Sequence, residues 1–444
     1  MRLISPRVVG TFIAAIWLLT LDCGALSQVI TEKSASTEGA SVFPLVPAVP
    51  DKFDATDKAQ VFQYDSSALG NRVPLMLIHG GGGESRPYFR MDGIAKWLQH
   101  DPRFQHKYKI YFLRYNGSAV LDQSVPKLKD ALIDFHDKVH RSMVVVAYSL
   151  GGNAMVRALL DPQVDSAVDL VVTLGAPFRG SPLFCGDWYE YSLHRNHFNP
   201  WSHLFKTHSR RVYFKRNAHF ISDLRWDNAD GHVPEVGSFR SITPFGPRGN
   251  LTVDGTANEK LSTINTESAH TRQKFIVYAG YLHNPFMLRR ALHGPILFLQ
   301  APIYFLGTKL PIFLGQEHAA LRMLNRDISR VRVNPERHGG SATSMPYLLN
   351  DGLVPVTSCL LLTPDGFEAF PAPRESDLPL LNPYLDVKSA RVFRNIDHVS
   401  FADAKAPHLV STHIGDAMHP HERHKALLDW LLFDLLESNT QAGH

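Results

Sequence analysis

Residues 143–153 read M-V-V-V-A-Y-S-L-G-G-N. Apolar residues crowd the front of this stretch, valines above all, as in a strand buried on both faces. The run stops at Ser149. Gly151 and Gly152 follow, and Ala154-Met155-Val156-Arg157-Ala158-Leu159-Leu160 has helical composition. A strand that turns into a helix at a serine is the nucleophile-elbow arrangement, which lifts the hydroxyl above the sheet edge. The turn brings the residues two before and two after the serine together, so both must be small; here they are Ala147 and Gly151. The new helix presents free N–H groups and a dipole that favour a developing negative charge beside Ser149. Taken alone, the stretch also fits a buried strand, a glycine turn and an idle serine, so its partners decide the matter.

Upstream, Val73-Pro74-Leu75-Met76-Leu77-Ile78 is a second apolar run, ending at His79-Gly80-Gly81-Gly82-Gly83. Consecutive glycines cannot continue a strand, and they let the backbone approach a ligand closely. We read an oxyanion loop in which an N–H of Gly80, Gly81 or Gly82 faces the site, with His79 a structural hydrogen-bonding residue. Further strands are expected over 59–64, 108–115, 170–174 and 275–279. Helices are expected over 94–98 and 124–140, the second capped by Ser124. Apolar strands alternating with helices specify an α/β fold, a mostly parallel central sheet with helices on both faces. Ligands of such sheets bind beyond the carboxyl ends of the strands, where His79, Ser149 and Gly175 fall.

A serine nucleophile needs a base, and the base needs an acid to orient it. In this topology the order is Ser, acid, His. Asp351 sits at a glycine-supported turn in Asn350-Asp351-Gly352-Leu353-Val354-Pro355-Val356. Asp365, in Pro364-Asp365-Gly366, competes with it but reads as an ordinary turn residue. His398 follows a last strand over 390–396 and is the candidate base. His408, His413 and the His419-x-His421-x-x-His424 cluster are its rivals. That cluster lacks paired carboxylates and borders the leucine-rich terminal helix over 424–436, so it reads as a solvated helix start and not as a metal site. Asp397 is too close in sequence to orient His398 and reads as structural.

Arg2 and Arg7, an uncharged run of fourteen residues from Val8 to Leu21, and small residues at Gly24, Ala25 and Ser27 read as a signal peptide over 1–27. The run is short for a membrane span, which needs about twenty residues. A secreted or periplasmic location is expected, with an uncleaved membrane anchor as the alternative; Cys23 suggests a lipoprotein, which Asp22 opposes. A linker over 28–58 would lead to one α/β domain over 59–440. Cleavage leaves Cys185 and Cys359, and two cysteines in an oxidising compartment suggest one disulfide, with two buried free thiols as the alternative. The irregular stretches at about 182–272 and 283–343 read as lid or cap insertions. Within the second, 294–314 is apolar but carries Pro295, Pro302 and Pro311, which argue against a membrane helix. It fits a lid in transient contact with a lipid surface, or a buried accessory core; 318–333 looks like a charged surface helix. A net charge of +4 and 20% charged residues, with no basic cluster interleaved with aromatics, give no reason to expect a nucleic-acid partner.

Together, His79-Gly80, Ala147-x-Ser149-x-Gly151-Gly152, Leu174-Gly175-Ala176-Pro177-x-Arg179-Gly180-Ser181, Asn350-Asp351-Gly352-Leu353-Val354 and Asp397-His398 resemble a lipase-type serine hydrolase of the α/β-hydrolase fold. The chain is similar to bacterial secreted triacylglycerol lipases and, more loosely, to the inositol-deacylase-like branch. The resemblance spans 72–181 and 345–436. It implies Ser149, Asp351 and His398 as a triad, and an oxyanion hole from the N–H of Leu150 and a loop glycine, Gly81 or Gly80. It implies an acyl-ester or lipid substrate, no cofactor, no metal, and a bridge from Cys185 to Cys359. Two positions depart from the pattern. Ala147 replaces the first elbow glycine, and Ser400 stands where calcium-binding secreted lipases carry an aspartate, which speaks against calcium dependence. The expected reaction is ester hydrolysis through an acyl-enzyme. An acyltransferase with the same triad, or an inactive lipid-binding protein, are the alternatives.

Overall fold

Valine-rich strands without alternation have no polar face to give to water, so they must be covered on both sides. The computed structural model, which describes residues 43–48, 53, 58–181, 184, 220, 223–225, 234–235, 258–282, 332–333, 349–370, 373–394, 396–402, 410–414 and 427–437, has that arrangement. The expected signal peptide, most of the linker, most of both insertions, Cys185 and the histidines at 408, 419, 421 and 424 lie outside the described residues.

One eight-stranded sheet is formed by β1 (Gln60–Gln63), β2 (Val73–Ile78), β3 (Tyr108–Arg114), β4 (Met143–Tyr148), β5 (Val168–Leu174), β6 (Phe275–Tyr281), β7 (Ser389–Arg394) and β8 (Val410–Ile414), in the order β1-β3-β2-β4-β5-β6-β7-β8. β3 to β7 run parallel, and β1 and β8 close the two edges antiparallel. This is the mostly parallel, two-faced sheet expected of the α/β-hydrolase fold. Its strand order reverses at β2, which lies between β3 and β4. Such a switch point opens a crevice at the strand ends, because the chain leaves toward opposite faces on either side of it.

Period-two alternation divides each strand between two apolar layers. Met143, Val145 and Ala147 of β4 face a core shared with helix α2 (Leu121–Val139), through Val125, Leu128, Leu132 and Phe135, and with helix α3 (Leu150–Ala158), through Ala154 and Met155. Val144, Val146 and Tyr148 face the other layer, built with Ile94 and Leu98 of Asp92–Leu98 and with Trp430, Leu431 and Leu435 of the terminal helix Leu427–Glu437. A fully buried Val or Leu contributes about 1.5–3 kcal/mol, so these layers, not local propensity, hold the sheet.

One charged group is buried with its counter-ion between the sheet and the terminal helix. Arg391 of β7 is ion-paired to Asp434, both about 95% buried, and Tyr278 of β6 donates its hydroxyl to the same carboxylate. The guanidinium lies 3.9 Å from the Trp430 ring centre. Burial and the neighbouring Asp434 push the Tyr278 hydroxyl well above the usual phenol range.

Several expectations need correction. Ser124 is not the cap of α2: the helix begins one turn earlier at Leu121, whose N–H is taken by Asp223 from the first insertion (2.7 Å). A cap supplied from a hundred residues away leaves no local signal. The strand expected to be last ends at Arg394 and is followed by β8, which carries His413. Arg332 and Val333, expected at the end of a surface helix, instead pair as strand with Pro234–Glu235. At the tail of the first insertion, Glu259–Glu267 is a helix that sends Leu261 and Ile264 inward. Cys359 is buried, and burial pushes its thiol well above its usual range; Cys185, its expected bridge partner, lies outside the described residues.

Candidate active site

Ser149 lies at the carboxyl end of β4, between strand and helix, with φ 53° and ψ −124°. A non-glycine residue with positive φ is costly, and such strain persists only where surroundings enforce it. Here the Ser149 N–H is held by Leu174 O (2.9 Å) on one side and its carbonyl by the Gly152 N–H (2.9 Å) on the other. The small residues around the elbow are required sterically. A Cβ on Gly151 would meet His79 O at 2.7 Å, and one on Gly152 would meet the Ala176 methyl at 2.4 Å. Ala147 itself is fully buried in the strand and fits without displacing the turn.

His398 follows the carboxyl end of β7 and is 97% buried. Its Nε2 lies 2.8 Å from Ser149 Oγ, and its Nδ1 lies 2.7 Å from Asp351 Oδ2. Asp351 is fully buried beyond the end of β6, where Leu282 N–H reaches Asn350 O. Its second oxygen, Oδ1, accepts the Leu353 and Val354 N–H groups at 2.9 and 2.7 Å. A carboxyl group held in this way is fixed in rotation, and its acceptor oxygen facing Nδ1 selects the tautomer with the proton there. That leaves Nε2 as a lone-pair acceptor aimed at the serine hydroxyl. Three more contacts hold the ring: His398 N–H to Asp351 O (3.0 Å), Tyr148 OH to His398 O (3.0 Å), and Gly175 packed behind it. Gly175 has φ +62°, and a Cβ there would meet Phe401 at 3.0 Å and His398 Nδ1 at 3.3 Å. The three side chains form one continuous chain of contacts.

The Gly-Ala-Pro segment after β5 docks onto the acid's loop. Phe178 N–H donates to Ser358 O (2.9 Å), Ser358 Oγ donates to Gly180 O (2.7 Å), and Ser181 Oγ donates to Leu353 O. The strand beside the serine is thereby joined to the turn that carries Asp351.

The glycine loop after β2 lies against the serine: a Cβ on Gly80 would stand 2.8 Å from that of Ser149. Gly82 and Gly83 use their N–H groups on Gly117 O and Gly80 O. Gly80 and Gly81 donate to no backbone carbonyl among the described residues. His79 sets the loop. It is fully buried and stacked on Tyr115, ring centres 4.6 Å apart. Tyr115 N–H donates to Nε2 (3.3 Å), so the proton sits on Nδ1, which donates to Gly80 O (2.8 Å). Burial lowers the imidazole's pKa and keeps it neutral. Carbonyl and N–H of one trans peptide point opposite ways, so holding Gly80 O turns the Gly81 N–H away from His79. Leu150 is the first residue of α3, and its N–H has no acceptor within the helix.

Other candidates fall elsewhere. Asp365 is exposed in the first turn of the short helix Pro364–Ala369. Asp397 accepts from Ser400 N–H and Oγ (3.0 and 2.8 Å), a local cap. Sequence reasoning missed Tyr148, which its place beside Ser149 could have flagged. It also missed Asp223 and Phe220, which no local pattern announces.

No known family model matches the sequence, and no curated protein matches it. Solved structures do. The mature lipase BlEst2 of Bacillus licheniformis is 14% identical, with a TM-score of 0.38, over 78% of this chain and 94% of that one. The lin2722 gene product of Listeria innocua is 13% identical, TM-score 0.33, over 76% and 90%. The metagenomic carboxyl esterase MGS0156 is 12% identical, TM-score 0.31, over 65% and 60%. The fold assignment rests on the sheet order itself.

Proposed function

We propose that the chain is a serine ester hydrolase, a lipase or carboxylesterase, with Ser149, His398 and Asp351 as its triad. The unbroken relay from Asp351 through His398 Nε2 to Ser149 Oγ carries this reading. As an ester carbonyl approaches, His398 Nε2 takes the Oγ proton and Oγ bonds to the carbonyl carbon. The imidazolium that forms is stabilised by Asp351. The carbonyl electrons move to oxygen, and this oxyanion is received by the N–H groups of Leu150 and Gly81, with Gly80 beside them. His398 then gives its proton to the departing alcohol, leaving an acyl group on Ser149. Water, deprotonated by the same nitrogen, releases the acid and restores the hydroxyl.

The substrate side of the proposal is an acyl ester, lipid esters included, and export through residues 1–27 is part of it. Ser149→Ala should abolish covalent labelling by a fluorophosphonate probe and hydrolysis of p-nitrophenyl esters, while the folded state persists. Labelling that survives the substitution removes Ser149 as the nucleophile.

A further inference from the structure

Among the described residues, Phe220 of the first insertion reaches the glycine loop. Gly81 has no positive φ, so its backbone is one that alanine adopts freely. What excludes a side chain there is Phe220, whose Cζ, Cε1 and Cε2 would lie 2.8, 3.1 and 3.2 Å from a Cβ on Gly81. The ring edge of Phe220 therefore fills the place of a side chain at 81, next to one proposed oxyanion donor. Phe184 meets the same ring edge-to-face, centres 6.5 Å apart.

This ring is not carried on a free loop. Asp223, 98% buried, accepts the Leu121 N–H (2.7 Å) and the Lys260 ammonium (3.1 Å). Asn258 Nδ2 reaches Asp223 O and Arg225 O at 2.9 and 2.8 Å, and Ser181 N–H reaches Leu224 O (2.9 Å). The Asp223 and Leu224 N–H groups turn back onto Phe220 O at 3.0 and 3.2 Å. Arg225 O comes so near Gly180 that a Cβ there would meet it at 2.2 Å. The segment is fixed to α2, to helix Glu259–Glu267 and to the loop after β5.

We infer that Phe220 is a specificity-determining residue of this site: it limits the ester group that lies along the glycine loop to a slim, unbranched one. The inference rests on the hydrolase reading above. A group passing beside the Gly81 N–H runs along the ring edge. A methyl branch on the carbon next to the ester has to occupy the space the ring already holds, as a side chain at 81 would. An acyl branch and an alcohol branch present the same chemistry, so both are measured.

The test compares wild type, Phe220→Ala and Phe220→Trp on p-nitrophenyl butyrate against p-nitrophenyl isobutyrate, and on n-butyl butyrate against sec-butyl butyrate. Fluorophosphonate labelling of Ser149 is followed in each protein. Phe220→Ala should raise the branched-to-linear ratio of kcat/KM about tenfold in one of the two pairs, the scale of methylene-sized discrimination in an apolar pocket. Phe220→Trp should lower the same ratio. Gly81→Ala should lose activity, and Gly81→Ala with Phe220→Ala should recover part of it. Ratios that stay put in both pairs while Ser149 is still labelled, or a double variant no better than the two single losses combined, overturn the role of Phe220 and leave the hydrolase reading intact. A wild type that takes no label overturns both.

Discussion

Gly175→Ala tests how the relay is held without touching any member of it. The residue occupies the left-handed region at φ +62°, where a Cβ costs roughly 1–2 kcal/mol. The new methyl would also stand 3.0 and 3.1 Å from Phe401 Cδ2 and Cε2, and 3.3 Å from His398 Nδ1. Both rings are buried, so neither swings into solvent; each gives way by a few tenths of an ångström. Overpacking of this kind adds about 1–3 kcal/mol, and the two terms together predict a loss of roughly 2–5 kcal/mol. Displacement of the imidazole from Asp351 Oδ2 should lower kcat roughly 10- to 100-fold, because misplacement by about 1 Å costs about 10²-fold. KM should change little, since the methyl lies behind the imidazole, on its Asp351 side. The assay is a urea unfolding curve beside kcat and KM on p-nitrophenyl butyrate. A variant as stable and as fast as wild type would falsify the claim that Gly175 is the backing of His398.

Asp434→Asn leaves Arg391 buried without a counter-charge and should cost about 3–5 kcal/mol of unfolding free energy in urea titration, whereas Arg391→Met with Asp434→Leu should come close to neutral. Acidification should destabilise the fold through His79. Its folded pKa is lowered by burial, so its contribution is fully present above the unfolded value of about 6.5 and declines as pH falls through that value toward the folded pKa. Thermal melts between pH 8 and pH 5 should show a weaker acid dependence for His79→Asn, measured against wild type; identical slopes would remove His79 as the source.

The parts of the fold that were legible in the sequence are those whose signal is local. Apolar runs marked β2, β4 and β5 because a two-faced strand has few polar positions, and the Ala147-x-Ser149-x-Gly151 step marked the elbow because only small residues fit around it. Asp351 was singled out because it sits at a glycine-supported turn, and His398 because it follows the end of a strand. The start of α2 was not legible, since Asp223 caps it from another part of the chain, and Ser124, the local candidate, is buried inside the helix. β8 was missed because an antiparallel edge strand of mixed polarity carries no apolar run. Phe220 was one aromatic among many in an irregular stretch, and only the closing of the chain onto Gly81 distinguishes it.

The burial of Arg391 against Asp434 joins the strand that precedes His398 to the last helix of the chain. Ser149 and the glycine loop leave the ribosome early, His398 late, and Asp434 later still. Until the terminal helix closes, Arg391 lies open to water and that face of the sheet lacks the apolar cover of Trp430, Leu431 and Leu435, so β7 is less firmly seated beside β6. Under the proposed triad, a chain whose final helix has not yet packed would hold Ser149 without a firmly seated His398.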